Sequence, residues 1–288
     1  MTTETLVFDC DPGLDDAVAL ALAHSSEVFR ITAVSTVACN APIEIVTANA
    51  SAILACLDNP APVFAGASRP LVVEPRHAIH LWGGDGILPL TSRSMTSSPI
   101  DLQWRAHLEA ADTVIAIASL TNIANALAGG ARIRRLAIMG GALGKGNATE
   151  HAELNIWADP HAAAVVFSSG VKITMAPLDL TRTLRVPANA LARLAASTRP
   201  AARLCAELLP LAGSKGQPAA IHDAAIVAWL LWPDLFITAQ GTISVITEGE
   251  EQGRTVFARS ASGPHTVLTG AAEPALLERI IARICGEA

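Results

Sequence analysis

The segment Leu6-Val7-Phe8-Asp9-Cys10-Asp11-Pro12-Gly13-Leu14-Asp15-Asp16 constrains this chain more than any other. Leu6-Val7-Phe8 is an apolar run too short for a helix and reads as a buried strand. Pro12-Gly13 then breaks the chain direction. From Asp15 the pattern Asp-Asp-Ala-Val-Ala-Leu-Ala-Leu-Ala-His reads as a helix with acid in its first turn. Four carboxylates thus fall within the eight residues Asp9 to Asp16. Charges that close repel one another, and a bound cation accounts for them. A hard ion such as Ca²⁺ prefers carboxylate and carbonyl oxygens. Taken singly, Asp15 and Asp16 read as helix caps, and Asp9 and Asp11 as turn formers.

Beyond this segment, strand-like and helix-like stretches alternate. Strands are expected at 29–37, 63–64, 114–118, 136–139 and 171–175, and helices near 42–56, 101–111 and 159–168, with another running to about 128 after Ser119-Leu120-Thr121-Asn122. Helices then dominate 187–232. A small hairpin from 242–246 and 255–257 precedes a last helix near 273–285. Such alternation predicts an α/β fold with a single Rossmann-like domain, a mainly parallel sheet flanked by helices. Ligands in such folds sit beyond the carboxyl ends of the strands. Asp9, Asp11, Asn40, Ser119 to Asn122 and the Gly140-Gly141 turn leading to Asn147 all follow strands. Residues 66–98 form a long irregular stretch around Trp82-Gly83-Gly84-Asp85-Gly86, and long loops in compact domains are usually functional.

Composition narrows the partners. With 51% hydrophobic residues in 288, the chain can bury a large core. Charged residues are only 16%, and the net charge is -6, so nucleic acid is not an expected partner. No apolar run is long enough to span a membrane, and the first residues lack a secretory pattern. Cys10, Cys39, Cys56, Cys205 and Cys285 are scattered, which suits reduced thiols and a cytoplasmic location. Trp157, Trp229 and Trp232 read as core. His24, His77, His107, His151, His161 and His265 read as surface residues.

Several segments together resemble the nucleoside hydrolases of the inosine–uridine type. Asp9-Cys10-Asp11-Pro12-Gly13-Leu14-Asp15-Asp16-Ala17 matches that family's first signature. Met139-Gly140-Gly141, Gly146-Asn147-Ala148-Thr149, Ala152-Glu153-Leu154-Asn155-Ile156 and Asp159-Pro160 match the central one. Ile221-His222-Asp223-Ala224-Ala225 matches the last, and Leu120-Thr121-Asn122-Ile123-Ala124 is also typical. The resemblance implies one nucleoside hydrolase domain over residues 1–288 and a homodimer or homotetramer. It implies hydrolysis of a ribonucleoside to ribose and free base through an oxocarbenium-like transition state. Asp11, Asp16 and Asp223 would hold Ca²⁺, with the backbone carbonyl of Ile117, two ribose hydroxyls and a water. Ca²⁺ acidifies water less than Zn²⁺ does, so a base is still needed, and Asp11 is the candidate. Asp15 and Asn155 would bind the 2- and 3-hydroxyls, and Asn147 and Glu153 the 5-hydroxyl. Asn40 would share the pocket, Met139 would pack on the sugar, and His222 would protonate or steady the leaving base.

One loop departs from the family pattern. Where many relatives carry a His before Gly-x-x-Gly, this chain has Trp82, with His80 two residues earlier. Trp82 either stacks on a nucleobase or packs beneath its loop, and His80 is a candidate replacement for the missing His. Two other classes compete. One is a haloacid-dehalogenase-like phosphohydrolase, which shares an Asp-x-Asp after its first strand. Against it stand Pro12-Gly13 behind Asp11 and the lack of a fitting phosphate-binding lysine. The other is a ribonucleoside-binding protein without catalysis, which the complete set of matched site residues disfavours.

Overall fold

The computed structural model describes residues 3–77, 90, 97–212 and 218–287. Among these residues, ten strands form one sheet: β1 (Glu4–Cys10), β2 (Phe29–Thr36), β3 (Val63–Ala65), β4 (Ser97–Pro99), β5 (Thr113–Ala116), β6 (Leu136–Met139), β7 (Ile173–Ala176), β8 (Phe236–Val245), β9 (Thr255–Arg259) and β10 (His265–Ala271). Their order is β4-β3-β2-β1-β5-β6-β7-β10-β8-β9. Pairing is parallel from β4 to β10, and β8 joins β10 and β9 in antiparallel fashion.

The α/β reading is therefore borne out, but β4 and β10 have no counterpart in the sequence reading. The expected small hairpin is longer, since β8 starts at Phe236, and it joins the main sheet through β10. β10 carries His265 and Gly270 among its apolar residues, which hides its alternation from a sequence reading.

Helices cover both faces. They are α1 (Leu14–His24), α2 (Ile43–Cys56), α3 (Leu102–Ala110), α4 (Thr121–Ala128), α5 (Leu154–Ala158), α6 (Pro160–Ser168), α7 (Leu178–Thr181), α8 (Ala188–Ala196), α9 (Pro200–Ala212), α10 (Ala224–Leu231) and α11 (Glu273–Cys285). Strand β1 shows why two layers are needed. Successive side chains of a strand point to opposite faces. Leu6, Phe8 and Cys10 enter a core with Leu20 of α1, Leu208 of α9 and Ile226 of α10. Val7 enters the other core with Leu108 of α3, Ile123 of α4 and Val166 of α6. A strand buried on both faces reads as a continuous apolar run, as Leu6-Val7-Phe8 does.

The same alternation decides the fate of Asp9. It lies within β1 on the Val7 face, fully buried, and accepts hydrogen bonds from Ser35 Oγ at 2.6 Å and Asn122 Nδ2 at 2.8 Å. It is a sheet residue, not a turn former. His265 also departs from its surface reading. It is buried in β10, accepts the Ile243 N–H at Nδ1 and meets the Phe167 ring edge-on.

β1 is also where the sheet changes its direction of growth. β2, β3 and β4 lie on one side of it, and β5, β6 and β7 on the other. The loops leaving β1 and β5 must part there, opening a crevice at the strands' carboxyl ends.

Candidate active site

That crevice holds a cavity of about 420 Å³. Asp11 and Asp15 enter from the β1–α1 turn, Asn40 from behind β2, Ile117 from behind β5 and Met139 from the end of β6. Asn147, Glu153 and Asn155 come from the segment ending in α5, and His222 and Asp223 from the start of α10. Residues distant in sequence thus meet because their strands are neighbours. Trp82 and His80 lie outside the described residues.

Asp16 stands behind the cavity wall. Its carboxylate accepts the Gly13 N–H at 2.9 Å and the Asp11 N–H at 3.3 Å, so it caps α1 and fixes the turn. Asp11 takes its orientation from across the crevice. Its Oδ2 accepts the Asn40 N–H at 2.7 Å, while Asn40 Nδ2 donates to the Asp11 carbonyl at 3.1 Å. Asp11 Oδ1 is buried without a hydrogen-bond partner.

Asn155 bridges two strand ends. Its Nδ2 donates to the carbonyls of Ile117 and Met139, each at 3.2 Å. Glu153 caps α5, accepting the Asn155 N–H at 3.0 Å, and also accepts the Gly141 N–H at 2.8 Å. Gly141 has φ +76°, and a Cβ there would lie 2.8 Å from Thr255 Oγ1, so the turn after β6 requires glycine. Asn147 Oδ1 accepts the Leu154 N–H at 2.9 Å, tying the exposed loop back to α5.

The electrostatics of this site are one-sided. Asp11, Asp16, Glu153 and Asp223 are each no more than 3% exposed. Among the described residues, no Lys or Arg forms an ion pair with any of them. Burial pushes the Asp11 and Asp223 carboxyls well above their ordinary range, and the neighbouring aspartates push further in the same direction. Asp16 is pushed up to about 8, by burial first and by the charge of Asp15 second. Uncompensated buried charge is costly, and a cation is its ordinary remedy.

The donors fit one. A carboxylate oxygen from each of Asp15, Asp16 and Asp223 lies within 4.8 Å of the others. The sequence-based set held Asp11 in place of Asp15. In the structure Asp11 lines the cavity beside this group, with its free Oδ1. All these donors are oxygens, as a hard cation requires.

Leu154, Arg185, Pro218 and Ala220 also line the cavity and were not foreseen. Arg185 follows β7 only after α7, so the strand-end rule does not single it out.

Comparison with known proteins decides between the classes. The family model for inosine-uridine preferring nucleoside hydrolases matches residues 6–278. The chain belongs to that nucleoside hydrolase family. It is 38% identical over 279 residues to the pyrimidine-specific ribonucleoside hydrolase RihA of Shewanella woodyi, covering 89% of each chain. It is 39% identical over 257 residues to the non-specific ribonucleoside hydrolase RihC of Escherichia coli, covering 85% of this chain and 84% of that one. As a ribonucleoside hydrolase it is an enzyme acting on N-glycosyl bonds, and its family supports a metal-dependent one. Neither the phosphohydrolase nor the idle nucleoside binder finds support. The nucleoside hydrolase fold recurs in a purine-preferring ribonucleoside hydrolase from Gardnerella vaginalis, with a TM-score of 0.89 at 24% identity over 98% of both chains. A Bacillus anthracis enzyme described as inosine-uridine preferring gives 0.80 at 20% identity, over 99% of this chain and 100% of that one.

Proposed function

We propose that the cavity between β1 and β5 is where this nucleoside hydrolase cleaves its substrate, with Asp11 as the base that takes a proton from the attacking water. The observation that carries this reading is the Asp11 carboxylate itself, held by Asn40 through Oδ2 with Oδ1 buried and unspent. A base must face its proton in a fixed orientation, and one oxygen anchored with the other free meets that need.

Asp15 and Asn155 bind the 2- and 3-hydroxyls of the ribose. Glu153 and Asn147 bind the 5-hydroxyl, and Met139 packs against the ring. Asn40 closes the same pocket. Asp11, Asp16 and Asp223 hold the cation with the Ile117 carbonyl, and Asp15 is a further carboxylate close to that set. Ca²⁺ is the proposed ion, because every donor is oxygen and no softer ligand enters the set. When bound, it supplies positive charge that polarises water and sugar hydroxyls. As the C1′–N bond breaks, the electron pair leaves with the base, the sugar becomes oxocarbenium-like and water adds at C1′. His222 steadies or protonates the departing base.

Of the two relatives named above, one is described as pyrimidine-specific and the other as non-specific, so pyrimidine nucleosides are the first substrates to test. The chain is proposed to act in the cytoplasm as a homo-oligomer, dimer or tetramer, with residues 1–288 as one domain. Among the described residues, no helix is long and apolar enough to cross a membrane. A reducing-sugar assay over inosine, uridine, cytidine, adenosine and guanosine tests the function. Ribose release from at least one of them is expected, and its absence from all five contradicts the reading.

A further inference from the structure

The cavity lining carries both signs of charge. Asp11, Asp15, Glu153 and Asp223 are its carboxylates. The positive charge comes from Arg185, whose guanidinium donates to the Pro218 carbonyl at 2.8 Å. Among the described residues no carboxylate pairs with it. Its placement is built into the backbone. Val186 N–H donates to the Ala219 carbonyl at 2.9 Å, Ile221 N–H donates to the Leu184 carbonyl at 3.0 Å, and Arg185 bridges Ala220 between them. Two short antiparallel segments therefore carry Arg185 next to the chain that leads into His222.

Heterolysis of an N-glycosidic bond also separates charge. The sugar turns positive and the departing base turns negative. Fixed charges aimed at where charge develops stabilise the transition state more than the ground state. We propose that Arg185 is a leaving-group residue of this enzyme. Its guanidinium hydrogen-bonds an acceptor on the edge of the base and steadies the anion as it departs, without giving up a proton. The C1′–N electron pair goes to the base, Asp11 receives the proton of the attacking water, and the base anion takes its proton from His222 or solvent. The class of base favoured is one that spreads its charge onto an edge carbonyl, as uracil and hypoxanthine do. A guanidinium offers several fixed donors to such an edge.

The proposal rests on the nucleoside hydrolase reading of this cavity, and the test separates the two. Arg185→Ala and Arg185→Lys are compared with the wild type on the nucleoside it cleaves best and on 4-nitrophenyl β-ribofuranoside. The nitrophenolate leaves as a stable anion and needs little help. Arg185→Ala is expected to lose on the order of tenfold or more in kcat/KM on the nucleoside, below the ~10²–10³ of a buried donor because Arg185 is exposed. Its loss on the nitrophenyl riboside is expected to stay under about threefold, as the leaving-group effect then vanishes. Arg185→Lys is expected to recover part of the nucleoside activity, since it keeps the charge. Equal losses on both substrates, or no loss on the nucleoside, overturn the role of Arg185 alone. A wild type that cleaves nucleosides but leaves the nitrophenyl riboside intact overturns it too. No ribose from the wild type with any nucleoside overturns this proposal together with the reading beneath it.

Discussion

Thr181 Oγ1 lies 2.9 Å from His222 Nδ1, joining the end of α7 to the residue before Asp223. The contact occupies one ring nitrogen and fixes the imidazole, leaving Nε2 for a ligand. His222→Ala is expected to cut kcat by about 10²-fold on bases that depend on protonation, and much less on others. Thr181→Val, which keeps the ring but frees it, should show the same substrate pattern at smaller size. Steady-state kcat on inosine and uridine checks both variants. One common factor for both substrates would mean that His222 supports the sugar site or Asp223 instead.

The carboxylates fix a pH dependence of stability. In the metal-free protein Asp16 is pushed up to about 8 and Asp9 to about 6, each mainly by burial. Unfolded, each titrates near ~3.9. The native state therefore binds these protons more tightly, and the stability they supply at low pH is lost as pH rises through the folded values. His24, His222 and His265 have the opposite sign, lowered by burial, but their contribution is complete above ~6.5. Between about pH 6.5 and 8 the carboxylates alone remain, so the metal-free Tm should fall.

Ca²⁺ should reverse that fall. Its ligands must be deprotonated, so its stabilisation grows with pH. At a hundredfold excess over Kd the gain is about 2.7 kcal/mol. Thermal melts at pH 6 and pH 8, with chelator and with Ca²⁺, measure both effects. An equal shift in Tm at the two pH values would argue against a cation among these aspartates.

Gly66 gives a test of the support beneath the site. A Cβ there would lie 2.4 Å from the Asn122 side-chain amide and 2.4 Å from the Thr36 carbonyl, and backbone cannot step aside. Asn122 also holds Asp9 and receives the Ala67 N–H at 2.8 Å. Gly66→Ala should cost about 1–3 kcal/mol or more, as overpacking does. Chemical denaturation measures it, and an unchanged midpoint would mean that the 65–67 turn relaxes freely.

Much of this was written locally in the chain. The β1–α1 segment is readable because an apolar strand, a Pro-Gly break and an acidic helix start each carry their own signal. Asp9 reads as a turn former because sequence spacing alone does not separate the last inward residue of a strand from the first residue of its turn. The period-two alternation that places Leu6 and Val7 in different cores also turns Asp9 away from the cavity. β4 (Ser97–Pro99) has the composition of a turn and becomes a strand only by pairing with β3. α7 spans four residues, Leu178–Thr181, too few for a helical period, yet it orients His222. Arg185 had no motif. A single arginine reads as solvated until the 184–186 and 219–221 segments are brought together.

Asp11 is the central residue of the proposed mechanism. Asp11→Asn keeps the side chain's size and the bond accepted from the Asn40 N–H, and it puts an amide NH2 in the place of Oδ1, removing the charge and lone pair that would accept a proton from water. The decisive measurement is the rate of ribose release by Asp11→Asn, taken on protein whose Ca²⁺ occupancy has been measured separately. With the cation bound, kcat should fall by at least ~10²-fold, the lower end of what a general base contributes. Turnover within a few-fold of the wild type would contradict the assignment of Asp11 as the base.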